Sequence, residues 1–166
     1  CVMSIIALRA WYLQDYEPIS RWSGLEHITE LMFQGSVLSG RDGIGELFRS
    51  PYVANLRALH LNGYDDNGHL DLDAIRELSA QTALQSLRHL DLYGNWSSWG
   101  WRRSNWMSTF VAAELLPQLE QLNLAGTALS GETVALLANS PRIANLQHLD
   151  LGENEIGERG ARALVA

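Results

Sequence analysis

Leucine and its apolar substitutes recur along this chain in short strings of one spacing. LRALHL (56–61), LRHLDL (87–92), LEQLNL (119–124) and LQHLDL (146–151) are apolar at the first, fourth and sixth positions, and ITELMF (28–33) is a weaker copy. The last two apolar positions alternate with polar ones, the period of a short strand with one buried face. The fourth position falls at Leu31, Leu59, Leu90, Leu122 and Leu149, separated by 28, 31, 32 and 27 residues. Two further apolar markers keep fixed offsets while the intervening loops vary. Ile19, Leu47, Leu78, Phe110 and Leu137 lie nine residues before the next string, and Leu25, Val53, Leu84, Leu116 and Ile143 lie three before it. The first set predicts the anchors of helices that follow each strand.

The unit is therefore strand, loop, helix, turn. The segments RSPYVANL (49–56) and NSPRIANL (139–146) match most closely, and Pro51, Pro117 and Pro141 fall beyond the predicted helix ends, where proline prevents continuation. Each unit has an apolar side that it cannot bury alone. Stacking buries it and pairs the strands in parallel.

The last unit, LQHLDLGENEIGERGARAL (146–164), resembles the leucine-rich repeat LxxLxLxxNxIxxxGxxxL in its ribonuclease-inhibitor-like subtype. The resemblance covers roughly residues 28–166, and LANSPRIANLQHLDLGENEIGERGARAL is similar to repeats of bacterial multi-repeat proteins. It implies a curved right-handed α/β solenoid, a horseshoe with parallel strands on the concave face and helices on the convex face. It also implies a protein-binding role. The expected division is a degenerate repeat or N-terminal cap over 1–27, then five repeats at about 28–55, 56–86, 87–118, 119–145 and 146–166. The chain starts without Met and stops at ARALVA within a helical pattern. This reads as a fragment of a longer chain or one whose ends are covered; a short protein with weak caps is the alternative. At the family's ninth position, usually Asn or Cys, this chain has Ser36, Tyr64, Asn95, Thr127 and Asn154. Tyr64 cannot satisfy backbone groups as Asn does, so the turn in that unit is expected to be rebuilt.

The strand pattern also names the residues that should face outward. One row is Met32, His60, Asp91, Asn123 and Asp150; the next is Glu30, Ala58, His89, Gln121 and His148; Arg57, Arg88, Glu120 and Gln147 lie beyond. Adjacent strands are about 4.8 Å apart, so His60 and Asp91 are within reach of each other. The surface is mixed in sign and rich in hydrogen-bonding groups, as a recognition face is; a merely solvated face is the alternative.

Two adjacent units carry longer strand-to-helix loops, YDDNGHLDLD (64–73) and NWSSWGWRRSNW (95–106). The second holds Trp96, Trp99, Trp101 and Trp106, four of the six tryptophans, with Arg102 and Arg103. Trp106 aligns with a helix start and is expected in the core. The others read as a binding or self-association rim, since Trp and Arg give large contact areas with a polar handle, or else as a private mini-core.

Composition narrows the function. A net charge of −7 with one tight basic pair disfavours a nucleic-acid backbone as partner. The single cysteine, Cys1, excludes an internal disulfide or cysteine zinc cage and suits a reducing, cytoplasmic compartment. No apolar run is long enough for a membrane span. Asp65, Asp66, Asn67, Asp71 and Asp73 are oxygen ligands, but Gly63 and Ala74 occupy the acid positions of a helix–loop–helix calcium loop, so a solvated acidic turn is expected. His27, His60, His69, His89 and His148 form no HExxH pair, and no GxSxG elbow or Walker loop is present. The reading is a protein–protein interaction module without cofactor or metal. It would use the concave face through His60, His89, Asp91, Tyr93, Gln121, Asn123, His148 and Asp150, and the rim through Trp96, Trp99, Trp101, Arg102 and Arg103. Self-association through the Trp-rich loop or the solenoid ends is a further expectation. The alternative is a regulatory or sensor segment of a larger enzyme or effector whose catalytic domain lies elsewhere.

Overall fold

In a computed structural model, which describes residues 7–11, 17–34, 44–63, 70–95 and 106–166 (backbone alone at 10, 11, 17 and 34), each leucine string enters one parallel sheet. The strands are β1 (Ala7–Trp11), β2 (Glu30–Gln34), β3 (Ala58–Asn62), β4 (His89–Asp91), β5 (Gln121–Asn123) and β6 (His148–Asp150). They lie side by side in chain order. The register is that of the leucines: Leu8, Leu31, Leu59, Leu90, Leu122 and Leu149 stand opposite one another across the sheet. Residues 7–11, within the segment read as a degenerate repeat or cap, thus form a strand in register with β2.

A helix follows each strand: α1 (Glu17–Ser20), α2 (Ile44–Phe48), α3 (Leu72–Ser79), α4 (Trp106–Phe110), α5 (Gly131–Ala138) and α6 (Gly157–Leu164). Their anchors Leu47, Leu78, Phe110 and Leu137 are buried against the sheet. Trp106 is 2% exposed and packs at a tilt on Phe110, with ring centroids 5.8 Å apart. Each fully buried leucine contributes about 1.5–3 kcal/mol relative to exposure. Strands stack at about 4.8 Å and helices at about 8–10 Å, so the helix side runs along the longer arc and the strands line the concave side.

The second apolar marker is part of a tight 3-10 turn in four units. Leu25, Val53, Leu116 and Ile143 lie in the segments Ser23–His27, Pro51–Val53, Leu116–Gln118 and Pro141–Ile143. Proline here starts an element as well as ending one. Pro51 and Pro141 open their turns behind Ser50 and Ser140, whose hydroxyls accept from the Tyr52 and Arg142 N–H groups. A fixed φ and a missing N–H suit a first-turn position.

Where the chain leaves the strands, asparagine joins neighbouring units. Asn95 donates to the Leu61 and Leu92 carbonyls and accepts from the Leu70 N–H. Asn154 donates to the Leu124, Leu151 and Gly152 carbonyls and accepts from the Thr127 and Leu129 N–H groups. Thr127, at the same position, reaches only the Leu124 carbonyl of its own unit, at 2.6 Å. Asn95 and Asn154 thus serve the units before them, whose own ninth residues are Tyr64 and Thr127. Tyr64 and Ser36 themselves lie outside the described residues. Among the described residues, no helix is long and apolar enough to cross a membrane.

Candidate functional site

Parallel pairing carries the outward-facing side chains into two continuous rows. The first runs Arg9, Met32, His60, Asp91, Asn123, Asp150 and the second Ala7, Glu30, Ala58, His89, Gln121, His148.

At β3 and β4 the two rows are tied together. His60 Nδ1 donates to Asp91 Oδ2 at 3.1 Å, and His60 Nε2 lies 3.6 Å from Glu30 Oε1. The rings of His60 and His89 meet edge to face with centroids 5.0 Å apart. Only 12% of the His60 side chain and 14% of the Asp91 side chain remain exposed. Burial opposes the charge on Asp91. Hydrogen bonds from His60, the Tyr93 N–H and the Asn62 amide outweigh it, and hold the carboxyl below its ordinary value. Burial comes first for His89 as well. Together with repulsion from His60 it lowers the imidazole below its ordinary value, against the opposing pull of Asp91 and Glu30.

Asp91, Asn123 and Asp150 also share a backbone role. Their Oδ1 atoms accept from the N–H two residues on, at Tyr93 (3.0 Å), Ala125 (2.9 Å) and Gly152 (2.8 Å). This local turn ends the strand and starts the loop. Asp91 therefore spends one oxygen on the turn and the other on His60. The expectation that it serves as a surface contact meets a carboxylate engaged on both sides.

At β5 and β6 the same rows are open. Gln121, His148 and Asp150 are exposed and Asn123 is half-buried. Tyr93 bridges the two halves: its hydroxyl donates to the Glu153 carboxylate at 3.3 Å, across the intervening unit. Glu153 holds a φ of 55°, at the position where the two preceding units have Gly94 (φ 70°) and Gly126 (φ 63°). Left-handed backbone is disfavoured for a residue with a Cβ, by about 1–2 kcal/mol.

Sequence reasoning did not single out Asn62 or Glu153. Asn62 is 9% exposed on the outward face, and its Oδ1 has no hydrogen-bond partner among the described residues. The Asn62-Gly63 pair, a turn signal, marks the place. Glu153 could have been found by aligning it with the two glycines. Of the rim residues, Trp96, Trp99, Trp101, Arg102 and Arg103 lie outside the described residues, as do Asp65, Asp66, Asn67 and His69 of the acidic loop. Asp71 is described, and it caps α3 by accepting from the Ala74 N–H at 2.8 Å. Among the described residues, no group of three or more His, Cys, Asp or Glu side chains is placed to hold a metal ion. What the face offers chemically is hydrogen bonding, in two registered rows.

A family model described as Leucine Rich repeat matches residues 143–165. No curated protein sequence matches significantly. Among solved structures, a protein from Bacteroides fragilis is 19% identical with a TM-score of 0.63, over 84% of this chain and 38% of that one. An internalin from Listeria monocytogenes is 19% identical with a TM-score of 0.49, over 96% of this chain and 45% of that one. The chain thus spans less than half the length of either. The likeness to the Bacteroides protein is one of fold.

Proposed function

Because this chain is a leucine-rich-repeat protein, we propose that it is a module that binds another protein across the concave face of its sheet. The observation that carries this reading is the open half of the two rows. Gln121, Asn123, His148 and Asp150 stand in register on β5 and β6, with donors and acceptors about 4.8 Å apart from strand to strand. A surface of this kind recognises by shape and hydrogen bonding. His60, Asp91 and His89 support it from the adjoining strands, and Tyr93 and Glu153 bound it at the loop end. A net charge of −7 favours a neutral or basic partner. The rim of Trp96, Trp99, Trp101, Arg102 and Arg103 belongs to the same proposal as a flanking contact, or as a surface for self-association.

A photoreactive residue at Gln121, set against one at Leu136 on the helix side, tests the reading. Crosslinking to one defined protein from Gln121 and not from Leu136 supports it. Equal capture at both positions, or capture at Leu136 alone, overturns it. A third probe at Trp99 decides whether the rim is part of the contact. With a captured partner in hand, Gln121→Lys together with His148→Glu is expected to weaken binding at least about tenfold while the circular dichroism spectrum is unchanged, a loss of roughly 1.4 kcal/mol.

A further inference from the structure

His60 and His89 are joined in a way that the binding reading does not use. They sit on neighbouring strands at the centre of the face, edge to face at 5.0 Å, and His60 is held in place by its bond to Asp91. Asp91 in turn fixes the Tyr93 N–H, and Tyr93 reaches Glu153 two units on. A change at His89 therefore bears on a chain of contacts that runs from β3 to the loop after β6. The groups facing His89 come from every strand packed around it. β2 supplies Glu30, β3 supplies His60, β4 supplies Asp91, and β5 supplies the neutral Gln121 and Asn123. Arg57 and Arg88 lie at the entry to β3 and β4; Arg88 is turned to the Gln85 and Leu87 carbonyls and towards Glu120.

We propose that protonation of His89 unlocks this centre: its ring leaves the edge contact with His60 and turns to solvent, so that the β3–β4 part of the face changes shape on mild acidification. The charged ring is poorly solvated where it lies, half-buried with its centroid 5.0 Å from the His60 ring, and turning outward restores its hydration. Departure of His89 frees His60 to shift against Asp91, and with Asp91 the turn at Tyr93. This deepens the proposed function as a regulation of the same face and rests on it for its consequence, while the switch itself is read without a partner.

Long-range proton–nitrogen spectra of the histidine rings, recorded on the whole chain from about pH 8 to about pH 5, test it. The expected result has three parts. His89 titrates below the ordinary histidine value of about 6.5. The ring-to-ring Overhauser contact between His60 and His89 disappears over that same transition, and the Tyr93 amide shift follows it. In a folded His60→Gln variant the His89 midpoint moves upward. The proposal is overturned if His89 titrates at or above the ordinary value, or if the ring contact survives its protonation. A His89→Gln variant provides the independent check: the step in the Tyr93 amide shift vanishes, and persistence of that step at the same midpoint assigns the trigger elsewhere. None of these results depends on a partner, so a failed switch and a failed binding surface are told apart.

Discussion

The β3–β4 and β5–β6 halves of one sheet face carry similar side chains and use them differently. Each has a histidine in the second row and an aspartate in the first, His89 with Asp91 and His148 with Asp150. In both, the aspartate accepts from the N–H two residues on. Around Asp91, however, His60 supplies a second partner and both side chains are nearly buried, whereas His148 and Asp150 are exposed. The same strand motif thus gives a closed polar network in one place and an open hydrogen-bonding surface in another. What differs is the neighbourhood: β3 presents His60 to Asp91, while β5 presents Asn123 to Asp150, and among the described residues β6 is the edge strand of the sheet, paired on one side only. Function on a repeat scaffold follows from these neighbour relations more than from the motif.

The asparagine pair is the strongest way to sharpen this contrast. Asn95 is fully buried and ties three backbone groups of two units. Asn154 makes an equivalent set of bonds but is only half-buried. Asn95→Ala removes these three backbone hydrogen bonds at a site where water does not reach, at about 3 kcal/mol or more. Asn154→Ala is expected to cost less, roughly 1–2 kcal/mol: the freed groups belong to the buried Leu124, Thr127 and Leu129, but the half-buried Asn154 leaves a space open to water when its side chain is removed. Urea unfolding with hydrogen exchange at Leu70 and Leu129 measures both. Equal costs would remove the contrast between a closed and an open half.

Much of this was legible in the residues. The spacing of the leucines specified the strands and their register, because a one-residue slip would expose every leucine in a string. The outward rows followed from the same alternation, including the His60–Asp91 neighbourhood. The 3-10 turns were hidden, since Val53 and Leu116 mark an apolar position without stating which tight conformation holds it. The turn that Asp91 makes with the Tyr93 N–H was also missed, although an Asx-Leu-x-Gly string recurs at 91–94 and 123–126. That string becomes a turn only once the strand is known to end at Asp91. The burial of Asn62 and the link from Tyr93 to Glu153 depend on contacts across units, and a one-dimensional pattern does not contain them.

Acid should separate the two halves further. The lowered His89 means that the folded chain binds fewer protons than the unfolded one below the ordinary histidine value. Stability from this source is present above about pH 6.5 and is lost as the pH falls through the folded-state value. Asp91 acts in the same direction lower down: its contribution is present above the ordinary carboxyl value of 3.8 and is lost as the pH falls further. Melting temperatures of the wild type, His89→Gln and Asp91→Asn across this range should show the mild-acid slope reduced in the first variant and the low-pH slope reduced in the second. An unchanged mild-acid slope in His89→Gln would count against the closed centre as its source.

The smallest expected effect falls on the boundary of the open half. Glu153 adopts a left-handed φ of 55° where Gly94 and Gly126 occupy the matching places, and its carboxylate receives the Tyr93 hydroxyl. Replacing it by glycine removes a backbone cost of about 1–2 kcal/mol, offset by the roughly 0.5–1 kcal/mol that glycine's freedom adds to the unfolded chain. The hydrogen bond to Tyr93 is exposed and long for an O–H donor, at 3.3 Å, and contributes about 0.5 kcal/mol, the low end for such a bond. Glu153→Gly should therefore be neutral or stabilise the chain by up to about 1 kcal/mol, read from its urea midpoint. If the proposed face extends to this corner, the same change weakens partner binding while the fold gains, because strained backbone is retained where a side chain is needed. A substitution that destabilises the chain would instead mean that the Tyr93–Glu153 link holds the loop after β6 in place.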